Sequence, residues 1–196
     1  MNAQLPVLDL KQQTLLQEAA QWRLISMLFE CPAGGWQEML TTLVSIVADP
    51  DLREATEAAQ AEASEGLYHS VFGPGGPAPP REVSYHDHLE LGGLMSELAG
   101  YYDAFGYRPA TQEPDDHVAV EAGFVGYLHL KEAYVRACED FARAEVTADA
   151  ARHFVEDHLS AMAEPLAAIL EGSGIRYLAL ACQALVRRTG PRRKQT

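Results

Sequence analysis

The chain has 196 residues with 47% apolar and 22% charged side chains, the composition of a folded domain able to bury a core rather than of a disordered segment. Three cysteines (Cys31, Cys138, Cys182) in an odd number and without CxxC spacing exclude a disulfide scaffold and fit a reducing compartment. The formal charge is −13, yet five basic residues (Arg187, Arg188, Arg192, Arg193, Lys194) crowd the last ten positions, which leaves −18 over residues 1–186. A body this acidic repels a phosphate backbone, so it argues against nucleic-acid binding and favours a basic partner.

The opening MNAQLPVLDLKQQ lacks the basic and apolar regions of a signal peptide, and no apolar run approaches the roughly 18 residues that span a bilayer. A cytoplasmic protein without stable membrane insertion is expected. Leu15, Ala19, Trp22, Ser26 and Phe29 share one helical face, which Leu24, Ile25 and Leu28 widen into a buried helix stopped by Pro32. Trp36 to Val47 predicts a second helix ending at Asp49-Pro50, and the Ala- and Glu-rich stretch 51–65 a third with a solvated face. Glu65 to Phe72 reads as one more short helix. GPGGPAPP (73–80) then places four prolines and three glycines in eight positions, which excludes both a helix and a central strand.

Ser84 with Asp87 three residues later reads as a capping arrangement for a helix carrying Leu91, Leu94, Leu98, Tyr101 and Phe105, with Gly106 as its stop. After the polar loop YRPATQEP (107–114), Asp115 or Asp116 is expected to cap a long helix reaching about Arg143 along the stripe Val120, Phe124, Leu128, Val135 and Cys138. Thr147 is expected to cap another helix, kinked or restarted at Pro165, and Ser173 to open a last one through Val186. There is no period-2 alternation and no internal repeat. The expected fold is therefore all-α, a compact bundle of seven to nine helices forming a single domain over 1–196. Loops 73–83 and 106–115 are internal to it, and the basic tail 187–196 is read as a mobile, solubilising terminus.

Most catalytic signatures are missing: the sequence has no GxxxxGK[ST], no GxSxG and no HExxH. In GPGGP the prolines remove amide donors, and no Lys or Ser/Thr follows in phosphate-loop register. His86-Asp87-His88, with His69 upstream, has metal-ligand types in close order and resembles the HD-type phosphohydrolases by two residues; a polar helix start is the simpler reading. Asp115-Asp116-His117 with Glu121 is more telling, because His117 and Glu121 share a face that Phe124 and Leu128 continue. Polar groups at the head of an apolar stripe must be paired or contact something; an N-cap is the simpler alternative. Tyr68 and Phe72, at i and i+4, are either core or an aromatic wall leading into the Pro/Gly loop.

Three stretches carry a resemblance. EGLYHSVFGPGGPAPPREVSYH (65–86), YYDAFGYRP (101–109) and EPDDHVAVEAGFVGYL (113–128) occur in the order found in the TorD/DmsD/NarJ-type chaperones for molybdoenzymes, whose most diagnostic pattern is Pro-x-Asp-His followed by Glu and Phe. The resemblance implies a cytoplasmic, all-α, non-enzymatic chaperone with no cofactor of its own. Its partner would be the catalytic subunit of a molybdopterin oxidoreductase, whose N-terminal or twin-arginine leader it holds for cofactor insertion before export or assembly. Carried over by position, the peptide-binding residues would be Tyr68, Phe72, Tyr85, Pro114, Asp116, His117 and Glu121, with Asp115 an additional acidic neighbour. Where many relatives have Trp near the first aromatic, this chain has Tyr68. An acidic groove would steer the leader arginines, and Asp116 or Glu121 would accept charge-assisted hydrogen bonds from them. The expected state is a monomer or a domain-swapped dimer; a permanent accessory subunit of a redox complex and an HD-type phosphohydrolase are the alternatives.

Overall fold

The computed structural model describes residues 8–86 and 90–190. Within them the chain forms α1 (Leu10–Leu28), α2 (Trp36–Val44), α3 (Pro50–Glu62), α4 (Glu65–Phe72), a 3₁₀ turn (Glu82–Tyr85) and α5 (Leu91–Phe105). There follow α6 (Val118–Ala137), α7 (Phe141–Phe154), a π turn (Val155–Leu159), α8 (Ser160–Glu171) and α9 (Arg176–Thr189). No strand forms among these residues beyond one isolated antiparallel bridge, Arg81 with His117. The fold is an all-α bundle, as the periodicity predicts.

Local chemistry sets the helix ends. Asp9 and Gln12 open α1 with a reciprocal capping box (2.7 and 3.0 Å). Helix α2 stops at Val44, short of the expected Val47, and Asp49 instead opens α3: its carboxylate accepts from the amides of Asp51 and Leu52, and Pro50 sits at the first position of α3. Gly106, at φ 70°, closes α5 as expected.

Five further expected helix ends are corrected. Ser84 lies inside the 3₁₀ turn rather than capping α5, which starts after Glu90; Asp87 and His88 lie outside the described residues. His117, not Asp115 or Asp116, caps α6, its Nδ1 accepting from the Ala119 amide at 3.1 Å. The long helix to Arg143 is broken at 138–140, where Glu139 takes a left-handed φ of 59° and Asp140 caps α7. Thr147 is interior to α7 and bonds back to the Arg143 carbonyl, and the last helix starts after Ile175, with Ser173 Oγ accepting from the Ile175 amide. The irregularity expected at Pro165 occurs earlier, as the π turn, while α8 runs on through the proline.

Helices α1 and α6 form the central pair. Ser26 Oγ donates to the Ala119 carbonyl (2.7 Å) at one end and Lys11 approaches Glu132 (4.0 Å) at the other, so the two run antiparallel. Gly126 lets them close: a Cβ there would sit 3.1 Å from the Ala19 carbonyl oxygen and 3.2 Å from the Arg23 amide nitrogen. On the far side of α6, the fully buried Phe124 ring meets Phe154 at 4.7 Å, Tyr102 at 4.8 Å and Tyr107 at 5.2 Å. Helix α9 packs across α3 and α8 to close the bundle.

Candidate functional site: a strap over a buried acid and histidine cluster

The Pro/Gly loop is anchored at both ends. The Gly76 amide donates to the Gly73 carbonyl (2.8 Å) and the Ala78 amide to the Val71 carbonyl (3.2 Å), folding the loop back on α4. This turn demands glycine at 76, where a Cβ would lie 2.2 Å from the Val71 oxygen. Beyond it the chain crosses the start of α6. The Val118 amide donates to the Pro80 carbonyl (2.9 Å) and the Glu82 amide to the Asp116 carbonyl (2.8 Å), making the single bridge. Tyr85 Oη donates to the Pro79 carbonyl at 2.6 Å. Residues 78–86 thus form a strap that brings Arg81 and Glu82 over the segment 116–121.

Two polar groups meet under this strap. In the first, His117 Nδ1 is occupied as an acceptor by the Ala119 amide, which puts the neutral ring's proton on Nε2. That proton faces Tyr68 Oη at 3.2 Å, and Tyr68 in turn donates to Glu113 Oε1 at 2.8 Å. Burial, and then the Arg81 charge, hold the His117 pKa down to about 3, so the ring is neutral at physiological pH. Burial and the Glu113 carboxylate push the Tyr68 phenol far upward. The outer member, Glu113, is only half-buried and faces solvent.

The second group centres on Glu82, itself 1% exposed, whose two oxygens lie 2.8 Å from His86 Nε2 and 3.0 Å from His158 Nδ1. His158 belongs to the π turn, so the wider turn aims an imidazole at the strap. Asp116 Oδ1 accepts from Arg81 Nε at 2.8 Å, while its Oδ2 is buried without a partner. Glu121 is fully buried, and no N–H or hydroxyl reaches either of its oxygens. Burial first, then the facing carboxylates of Glu82 and Asp116, push its pKa well above the carboxylate range, so Glu121 holds a proton.

The structure therefore gathers Tyr68, Asp116, His117 and Glu121 in one place, and buries all four. Phe72 lies beside them in the core, its ring 5.2 Å from Tyr68 and 6.3 Å from Phe29. Tyr85 and Asp115 are half-buried: the first ties the strap to itself, and the second lends its carbonyl to Tyr102 Oη (2.8 Å). Pro114 is exposed, and its carbonyl accepts from the His117 amide. In this conformation the set is a closed lock rather than an open groove.

Arg81, Glu82, Glu113 and His158 join the set without having been singled out from the sequence. Glu82 with His86 at i+4 was a readable local signal; His158, 76 residues from Glu82, offered none. His86 is engaged by Glu82, and His69 stacks edge-on against Tyr68 at 5.4 Å. Among the described residues no group of three or more His, Cys, Asp or Glu side chains is placed to hold a metal ion.

Above Tyr68 the surface is acidic. Glu65 is exposed, Glu113 half-buried, and both act on the Cys31 thiol, whose pKa is raised by burial and then by these two carboxylates. Glu30 also faces Tyr68. A separate cleft of about 450 Å³ opens at the opposite end of the α1–α6 pair, floored by Leu15, Trp22 and Val155. Its charges answer one another, with Lys11 near Glu132, Arg152 near Glu156 and Arg188 on Asp49, so its rim selects neither anion nor cation.

No helix among the described residues is long and apolar enough to cross a membrane. A search of curated proteins gave no match. The family model for the nitrate reductase delta subunit matches residues 30–168, a span that takes in the acidic surface, the strap and the whole buried cluster. The chain belongs to that family, the NarJ/TorD-type chaperones of molybdoenzyme maturation.

Proposed function

We propose that the protein binds the N-terminal, twin-arginine leader region of the catalytic subunit of a molybdopterin oxidoreductase and holds it until the cofactor is inserted, before export or assembly. The observation that carries this reading is the acidic surface of Glu65 and Glu113 around Cys31, with Glu113 held on the Tyr68 hydroxyl, inside the family's matched span. A leader of this kind is basic with an apolar stretch behind it. The exposed carboxylates supply long-range steering and charge-assisted hydrogen bonds to guanidinium groups, and the aromatic side chains below supply apolar contact. Asp116, His117 and Glu121 act beneath that surface by fixing its shape, because buried side chains reach a peptide only if the strap moves.

The test is calorimetric titration with a synthetic leader from a candidate client, at low and high salt. The Glu65→Gln, Glu113→Gln double variant is the informative one, since replacing Asp116 or His117 also disturbs the fold. Binding that weakens about tenfold in the variant and loses most of its salt dependence supports the reading, in line with screening of surface charge. Wild-type affinity unchanged by salt and by both substitutions overturns it.

A further inference from the structure

We infer that residues 78–86 are a hinged strap that opens off the first turn of α6 without global unfolding, and that the buried carboxyl of Glu121 beneath it, which faces Glu82 of the strap, is the group that loosens it on ionising. The inference deepens the leader-binding reading, on which its functional meaning rests, because opening is what would uncover the Asp116, His117 and Glu121 face.

The backbone attachment is slight. One isolated bridge with two backbone hydrogen bonds joins the strap to the segment before α6, where a sheet would supply a ladder. The other ties are side chains: Arg81 to Asp116, Glu82 to His158, and Val83 and Tyr85 packed against the hydrophobic core. The Pro/Gly turn at 73–80 provides the pivot, since the Ala78 amide pins its end to the Val71 carbonyl of α4.

What lies beneath favours opening. Asp116 Oδ2 and His158 Nε2 are buried without a hydrogen-bond partner, and the protonated Glu121 carboxyl has only the Glu82 carboxylate to bond. A buried polar atom left unpaired costs stability that water restores on exposure. Opening would hydrate these two atoms and the Glu121 carboxyl, offsetting part of the bonds it breaks. It would also let Glu121 ionise, because in the closed form the charged state faces Glu82 from the strap and Asp116 from the turn before α6. The other charged or titratable groups around the cluster are Arg81 and His86 of the strap, His117, Tyr102 and Glu97 of α5, and His158 of the π turn. Releasing a proton on opening means that the open form gains population as pH rises.

Hydrogen exchange on the full chain, without client, tests this directly. Val118 is the first residue of α6, so its amide has no intrahelical acceptor and depends on Pro80; the Glu82 amide depends on Asp116. After correction for intrinsic base catalysis, protection at these two amides is expected to fall at least tenfold between pH 6 and pH 8, while Phe124 and Val125 hold theirs. In Glu121→Gln, whose amide can donate to Glu82 as the protonated carboxyl does but cannot ionise, the fall in strap protection with rising pH should vanish. Glu82→Gln, which weakens the tie to His158, should lower strap protection at every pH. Strap amides that exchange in step with Phe124 and Val125 would overturn the inference, as would a fall in strap protection with rising pH that survives in Glu121→Gln. Leader titration is a separate readout: a strap that opens in a protein that binds no leader leaves this inference standing and removes the client reading.

Discussion

Glu82 and Glu132 are both buried glutamates serving the same helix pair from opposite ends, and they differ in what they leave behind when removed. Glu132 bonds Arg136 at 2.8 Å and lies 4.0 Å from Lys11, cations whose side chains are 24% and 56% exposed and can turn to water. Glu82 holds His86 and His158, whose side chains are 4% and 3% exposed, and it faces the protonated Glu121. Burial of the acid alone therefore does not set the energetic weight of an ion pair. The freedom of its partners does.

The largest break in this symmetry is expected from Glu82→Ala. It strands two imidazoles in the core and should cost about 3–5 kcal/mol of unfolding free energy, the range for breaking a buried pair from one side. Relief of the repulsion on Glu121 draws the result toward the lower figure. Urea denaturation compared with wild type gives the number; a loss under about 1 kcal/mol would mean the pocket is already wet.

The next contrast is in pH. His117 has a folded pKa of about 3, below the imidazole's ordinary value near 6.5, so the unfolded chain binds a proton that the folded chain refuses. Stability should then fall as pH drops below about 6.5, by up to about 1.4 kcal/mol per unit, until the folded pKa is reached. His117→Asn keeps an N-cap residue and should flatten this acid limb. Glu121 acts in the opposite window. Its folded pKa is raised, so its contribution is intact below the ordinary glutamate value near 4.3 and declines as pH rises above it. A denaturation series from pH 4 to pH 8 on wild type, His117→Asn and Glu121→Gln separates the two limbs. A wild-type profile that both variants reproduce would refute the assignment.

The same contrast marks what the sequence discloses. Periodic apolar stripes placed α1, α5 and α6 because Leu24, Leu98 and Phe124 obey a repeat that burial imposes. Caps were read less well, since a cap depends on one residue's backbone angles. His117 took the place of its acidic neighbours, and the left-handed Glu139 split a helix whose pattern ran on to Arg143. At the site, Tyr68, Asp116, His117 and Glu121 do converge, but their burial was not legible. It is produced by a strap whose contacts to 116–118 span some 35 positions, and by His158, which arrives from the π turn. A helical period carries information over a few turns; a long-range polar contact leaves no such trace.

The smallest expected effects lie at the Glu132 end and make the comparison quantitative. Glu132→Ala should cost about 1–2 kcal/mol, less than Glu82→Ala despite similar burial, because Arg136 and Lys11 regain water. Lys11→Ala should cost under about 0.5 kcal/mol: its ammonium is 4.0 Å from the carboxylate and more than half exposed, so screening and side-chain entropy cancel most of the attraction. The double variant should then equal Glu132→Ala alone to within about 0.5 kcal/mol. A coupling above about 1 kcal/mol in that cycle would show that the cleft shields the pair from water, and would place this end of the α1–α6 pair in the same energetic class as the strap.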